Sequence, residues 1–175
     1  YIGIYNLFQE GVIHRDIKPE NILIDKKGRA FVGDIGASKL LSKDTEKLRL
    51  RTVDTVVGTE TWMAPELLSL NASTTTSLIN RYDITKFDVF SLGLLSLFCL
   101  DLDGFLQIQK EANIDEFKLH NYLETNIKDR VPIEFFYLLK CMLTFSNLSR
   151  PSIVGLYNDF FLKFSFAKKK SEVKF

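Results

Sequence analysis

The run from Phe87 to Leu102 decides most of what this chain can become. It is almost wholly apolar, yet it is shorter than the roughly 20 residues a membrane-spanning helix needs, and it carries Asp88 near its start. Other parts of the protein must bury such a segment, which predicts a central core helix over 86–100 with the remaining elements packed around it. A carboxylate on so apolar a helix also needs hydrogen-bond donors brought to it from elsewhere in the fold. Packing material is ample: 46% of the 175 residues are hydrophobic and 13% aromatic, with 15 Phe. That suffices for one core at the usual domain size of about 100 to 150 residues and excludes disorder for most of the chain. Lys plus Arg and Asp plus Glu number 23 and 22, a net charge of +1 that gives no electrostatic reason to expect nucleic acid or membrane as a partner. Cys99 and Cys141 lie in apolar stretches without CxxC spacing, which argues against a disulfide framework or a zinc site. A reducing compartment is expected, cytoplasmic or nuclear. The chain opens at Tyr1 in an apolar helical stretch, with no initiator Met and no signal-peptide pattern, and is expected to be a fragment of a longer protein.

Before the core helix, Ile2, Ile4, Tyr5, Leu7 and Phe8 stand at helical spacing until Gly11. Ile22 to Ile24 and Ala30 to Val32 predict a hairpin across the turn Asp25-Lys26-Lys27-Gly28. From Asp34 to about Asp54 periodicity dissolves into a long loop. Pro65 opens a short helix to Leu70, and the polar run Asn71 to Asn80 has the character of a surface insertion. Further helices are predicted at about 115–126, 132–143 and 152–164.

The chemistry sits in His14-Arg15-Asp16-Ile17-Lys18-Pro19-Glu20-Asn21. This run resembles the catalytic loop of eukaryotic protein kinases, with His-Arg-Asp and an Asn five residues after the Asp. Four more landmarks follow in that family's order. They are Asp34-Ile35-Gly36, with Ile where Phe is usual; Gly58 to Glu66, ending Ala64-Pro65-Glu66; Asp88 to Gly93; and Ser149-Arg150-Pro151-Ser152. The residue types suit the reaction. Phosphoryl transfer needs a carboxylate to orient a hydroxyl and accept its proton, and hard oxygen ligands to hold Mg2+ on the phosphates. Asp16 and Asn21 supply these on one loop, and the hairpin should return Asp34 to the side of Asn21.

The resemblance implies an α+β protein-kinase-like fold, this chain being its mainly α-helical C-lobe with a small β-hairpin over 1–165, then a basic tail over 166–175. It implies ATP-dependent transfer to Ser/Thr hydroxyls of protein substrates. Asp16 is then the catalytic base, Lys18 steadies the transferred phosphate, Asn21 and Asp34 hold Mg2+, and Lys18, Glu20, Asn21, Leu23 and Asp34 face ATP. Thr59 belongs to the substrate-binding P+1 loop and bridges Asp16 and Lys18. His14, Asp88, Glu66 and Arg150 are structural, with Glu66 paired to Arg150 in the interior. Arg15 before the catalytic Asp marks kinases switched by activation-loop phosphorylation. A phosphate on Thr55, clamped by Arg15 and Lys39, would order that loop and implies an upstream activating kinase. Thr45, Thr52 and Ser42 are lesser candidates. Phe98 stands where kinases choosing basic substrates often carry Glu, which weighs against that preference.

No Gly-rich phosphate loop, ATP-anchoring strand Lys or partner Glu occurs in the 175 residues. The family places these in a lobe before the catalytic loop, so the chain alone is expected to be inactive. The alternative reading is a pseudokinase or truncated scaffold acting in protein binding. A small-molecule phosphotransferase would ordinarily lack Ala64-Pro65-Glu66 and the Arg150 partner. His120 is expected to be an ordinary core residue, and the sequon Asn147-Leu148-Ser149 to be unused.

Overall fold

The computed structural model describes residues 1–41, 57–71, 82–111 and 115–158. Helix α1, Ile2–Gln9, buries Ile4. It ends at Gly11, whose φ of +74° is open to glycine at no steric cost and whose N–H returns to Phe8 O at 2.9 Å. Strand β1, Val12–Ile13, then enters the loop that carries His14 to Asn21. Strands β2, Ile22–Ile24, and β3, Ala30–Val32, pair antiparallel with Leu23 opposite Phe31. Asp25 Oδ1 caps their turn by accepting from Lys27 N and Arg29 N at 2.9 Å each.

One short pairing was not legible. Strand β4, Lys39–Leu40, lies antiparallel to β1 inside the stretch expected to be a featureless loop. Two residues on each strand carry no period for a pattern to register.

The predicted core helix is α3, Phe87–Leu100. Phe87, Val89, Phe90, Leu92, Leu94 and Leu97 are all buried, on more than one face. One cluster joins α3 to α2, Pro65–Asn71, to α4, Leu102–Lys110, to α5, Glu116–Asn126, and to α6, Ile133–Met142. A second joins it to α1, Ile17 and α7, Ile153–Leu156. Gly93 lets α3 and α6 approach: a Cβ there would lie 2.9 Å from Leu143 Cδ2.

Helix α4 was not anticipated, because the apolar run continues into it across a single residue. The break is Asp101, which caps α4 by accepting from Gly104 N at 3.2 Å. The end of the expected helix 152–164, the polar run after Asn71 and the basic tail lie outside the described residues. No helix among the described residues is long and apolar enough to cross a membrane.

Candidate active site

The catalytic-loop run is fastened from beneath by Asp88. His14 N donates to Asp88 Oδ2 and Arg15 N to Asp88 Oδ1, both at 2.7 Å. These are the donors the apolar helix required. Burial pushes the Asp88 carboxyl up, against the pull of the two N–H donors and the neighbouring positive charge. The bonds hold Arg15 at φ +67°, a left-handed conformation that costs a non-glycine residue about 1 to 3 kcal/mol. The fully buried His14 ring meets Gly33 O through Nε2 at 2.9 Å and accepts from Asp16 N through Nδ1 at 3.3 Å. The neutral tautomer with its proton on Nε2 satisfies both contacts, so one imidazole ties the loop to the backbone just before Asp34.

Asp16 stands at the centre. Its Oδ1 accepts from Thr59 N and Thr59 Oγ1, both at 2.9 Å, and its Oδ2 from Lys18 Nζ at 2.8 Å and Asn21 Nδ2 at 3.1 Å. Lys18 Nζ also donates to Thr59 Oγ1 at 2.7 Å. Burial works to raise the Asp16 carboxyl. Hydrogen bonds from Lys18 and Thr59, with the Lys18 charge, outweigh it and hold the group below the usual carboxylate range. The Asp16 hydrogen bond chiefly raises Lys18 in turn, with the charges of Asp16, Glu20 and Asp34 adding to it. Asp16 is a pinned anion and Lys18 a pinned cation. Gly58 makes this possible at φ +132°: a Cβ there would stand 2.5 Å from Arg15 O.

The hairpin returns as its spacing requires. Gly33 N donates to Asn21 O at 2.8 Å, extending the β2–β3 ladder by one step and setting Asp34 just beyond the residue opposite Asn21. Asn21 is buried, and its Nδ2 donates to Asp16 O at 2.7 Å as well as to Asp16 Oδ2. That leaves Oδ1 without a partner among the described residues. Asp34, exposed at φ +50°, uses Oδ1 to accept from Gly36 N at 3.1 Å and keeps Oδ2 clear. The ladder thus sets two residues with hard side-chain oxygens near one another, a donor set that could hold a magnesium ion keeping most of its other ligands as water or phosphate. No cluster of three or more His, Cys, Asp or Glu occurs among the described residues.

The family model for the protein kinase domain matches residues 1–162. The chain belongs to the protein kinase family. Its relatives include the serine/threonine-protein kinase/endoribonuclease IRE1 of Oryza sativa subsp. japonica, 32% identical over 91% of this chain and 17% of that protein. The CBL-interacting serine/threonine-protein kinase 24 of Arabidopsis thaliana is 32% identical over 71% of this chain and 29% of its own length. The serine/threonine-protein kinase shk2 of Schizosaccharomyces pombe is 40% identical over 53% of this chain and 13% of its own. This kinase-family chain thus spans less than a third of each of these relatives, and its architecture is that of the helical C-lobe.

Elsewhere in this kinase lobe, Glu66 and Arg150 meet in the interior, Nη1 to Oε1 at 2.7 Å and Nη2 to Oε2 at 3.0 Å. Asn147, noted in the sequence only as a sequon, is a third member of that knot. It is buried, donates to Glu66 Oε1 at 2.9 Å and pairs with both Asp83 N and Asp83 O. Only its position three residues before Arg150 could have pointed to it. Arg15 Nε donates to Ala37 O at 2.7 Å and Nη2 to Ser38 O at 3.5 Å, which sets its guanidinium against the backbone just before β4. Thr55, Thr45, Thr52 and Ser42 lie outside the described residues. Glu20, Leu23 and Ile35 are exposed.

Proposed function

We propose that this chain is the phosphate-transferring lobe of a protein kinase that moves the γ-phosphoryl of ATP to Ser/Thr hydroxyls of protein substrates. The observation that carries the reading is the pinned Asp16, with Thr59 on one carboxylate oxygen and Lys18 and Asn21 on the other. A carboxylate held at low proton affinity does not strip a hydroxyl early. It orients the attacking oxygen and takes the proton as the bond to phosphorus forms, which suits a loose transition state in which positioning matters most. Lys18, a cation within reach of both Asp16 and Thr59, neutralises charge on the transferred group. Asn21 and Asp34 would hold Mg2+, which supplies charge neutralisation on the phosphate oxygens. Leu23, Ile24 and Phe31 on the hairpin, and Ile35 just after it, are exposed apolar side chains, suited to a flat base and to the other lobe of the family's fold. Arg15, bonded to the Ala37 carbonyl, and Lys39 would form the cationic end of a switch whose phosphate would sit on Thr55.

The test is transfer of labelled phosphate from Mg-ATP to a protein mixture by the natural full-length protein, beside Asp16→Ala. Labelled Ser and Thr that disappear in the variant are expected. No label, with ATP binding intact and after treatment with an activating kinase, would sink the reading in favour of a pseudokinase scaffold.

A further inference from the structure

We infer that Trp62 is a positioning residue for the site around Asp16, acting through Thr59 from an aromatic stack on α3 and α4; the inference deepens the kinase reading and rests on it. The indole stacks on Phe105 of α4 at 4.8 Å and 18° and meets Phe98 of α3 edge-on at 5.7 Å, while Phe98 and Phe105 meet edge-on at 5.5 Å. Three rings from three segments therefore lock one another. The backbone around Trp62 is tied at successive residues. Trp62 N donates to Thr59 O at 2.9 Å, and Trp62 O accepts from Ser91 Oγ at 2.7 Å. Thr61 O accepts from Gln109 Nε2 at 3.2 Å.

Thr59 is clamped from both ends. On one side Gly58 lies against the Arg15 carbonyl, closer than any Cβ would allow. On the other, the turn from Thr59 to Trp62 is held down by the stack. Thr59 in turn gives Asp16 Oδ1 both of its donors and accepts from Lys18. A core filler would bury its ring and stop there. Trp62 places the peptide that completes the Asp16 shell, and replacing a ring that bears on two helices frees that peptide before it frees the helices.

The experiment joins amide exchange with kinetics, on Trp62→Ala, Trp62→Phe and Phe105→Leu. In Trp62→Ala, amides 59–63 are expected to exchange about tenfold faster while those of α6 keep their rates, with partial recovery in Trp62→Phe. In the natural full-length protein, kcat should fall about tenfold or more with KM for ATP unchanged, since ATP would contact the hairpin and not this loop. Unchanged exchange at 59–63, or acceleration shared equally by α6, overturns the inference. If Trp62→Ala does not fold, Phe105→Leu decides: local acceleration of about threefold supports it and none overturns it. A wild-type protein that transfers no phosphate sinks the kinase reading alone, because the exchange measurement still settles the role of Trp62.

Discussion

Cutting the Glu66–Arg150 pair should cost this chain more than any surface change, and the two halves should not cost the same. The guanidinium and the carboxylate are 0% and 4% exposed, and they join through two bonds of 2.7 and 3.0 Å. Removing one partner of such a pair strands the other, at about 3 to 5 kcal/mol. Arg150→Met leaves Glu66 with Asn147 Nδ2 alone, and it also takes a donor from the carbonyls of Thr144 and Lys86, each held at 3.0 Å. Glu66→Gln leaves Arg150 charged, but still bonded to those carbonyls and to Phe145 O, and lying over the Phe90 ring at 4.8 Å. The arginine change is therefore expected near the top of the range and the glutamate change near the bottom. At about 2 to 4 °C per kcal/mol for a chain of this size, Arg150→Met lowers Tm by roughly 8 to 20 °C. In Glu66→Gln/Arg150→Met no charge is stranded, so the double variant should recover about 2 to 3 kcal/mol of the summed costs. Urea unfolding of all four proteins at one pH gives the cycle. Costs that add to within about 0.5 kcal/mol would refute the reasoning, since they would mean that neither charge depends on the other.

His120 stands half-buried on α5, its Nε2 without a hydrogen-bond partner among the described residues and 4.0 Å from Glu116 Oε1, and burial lowers its pKa despite the pull of Glu116. As pH falls through about 6.5 the unfolded chain protonates first, so stability should drop from there down to the depressed folded value; His120→Gln should abolish that slope in urea midpoints between pH 7.5 and 5. Gly104→Ala places a Cβ against the Tyr122 hydroxyl, which bonds Asp101 Oδ2 at 2.5 Å. It should destabilise by about 2 to 3 kcal/mol, and by less when Tyr122→Phe accompanies it; purely additive costs would speak against the clash. Asp88→Asn replaces one acceptor oxygen with a donor facing a backbone N–H and should cost about 2 to 3 kcal/mol in denaturant unfolding. Thr59→Ala removes one of four donors on Asp16 and should raise its carboxyl pKa in an NMR titration; an unmoved value would mean that the Thr59 hydroxyl has no part in setting it.

What the sequence disclosed depended on how each feature is encoded. The core helix was legible because burial on more than one face writes an apolar run too short for a membrane. The β2–β3 hairpin was legible from its strand composition and turn, and with it the approach of Asp34 to Asn21. The pairing of β1 with β4 was not, since two residues have no period, and α4 was hidden because its apolar residues follow those of α3 across a single Asp. At the site, Asp16, Lys18 and Asn21 share one run and could be read together. Their partner Thr59 lies 43 residues from Asp16 and was found through resemblance to a known pattern. Asn147 escaped altogether, because a side chain that pairs with the backbone of Asp83 leaves no compositional trace.

The Asp88 carboxylate explains why these pieces converge. A left-handed Arg15 is unfavourable by itself, yet it turns the chain so that Asp16 faces Thr59 while Arg15 reaches back to Ala37. Two N–H bonds from consecutive residues to one buried carboxylate can offset that cost, and only a group on a rigid, fully packed helix has the fixed position to do so. The apolar run that first limited the fold and the acidic residue it could scarcely tolerate are thus one device. The packing of α3 makes Asp88 immobile, the immobile carboxylate holds His14 and Arg15, and those two residues set where Asp16 stands.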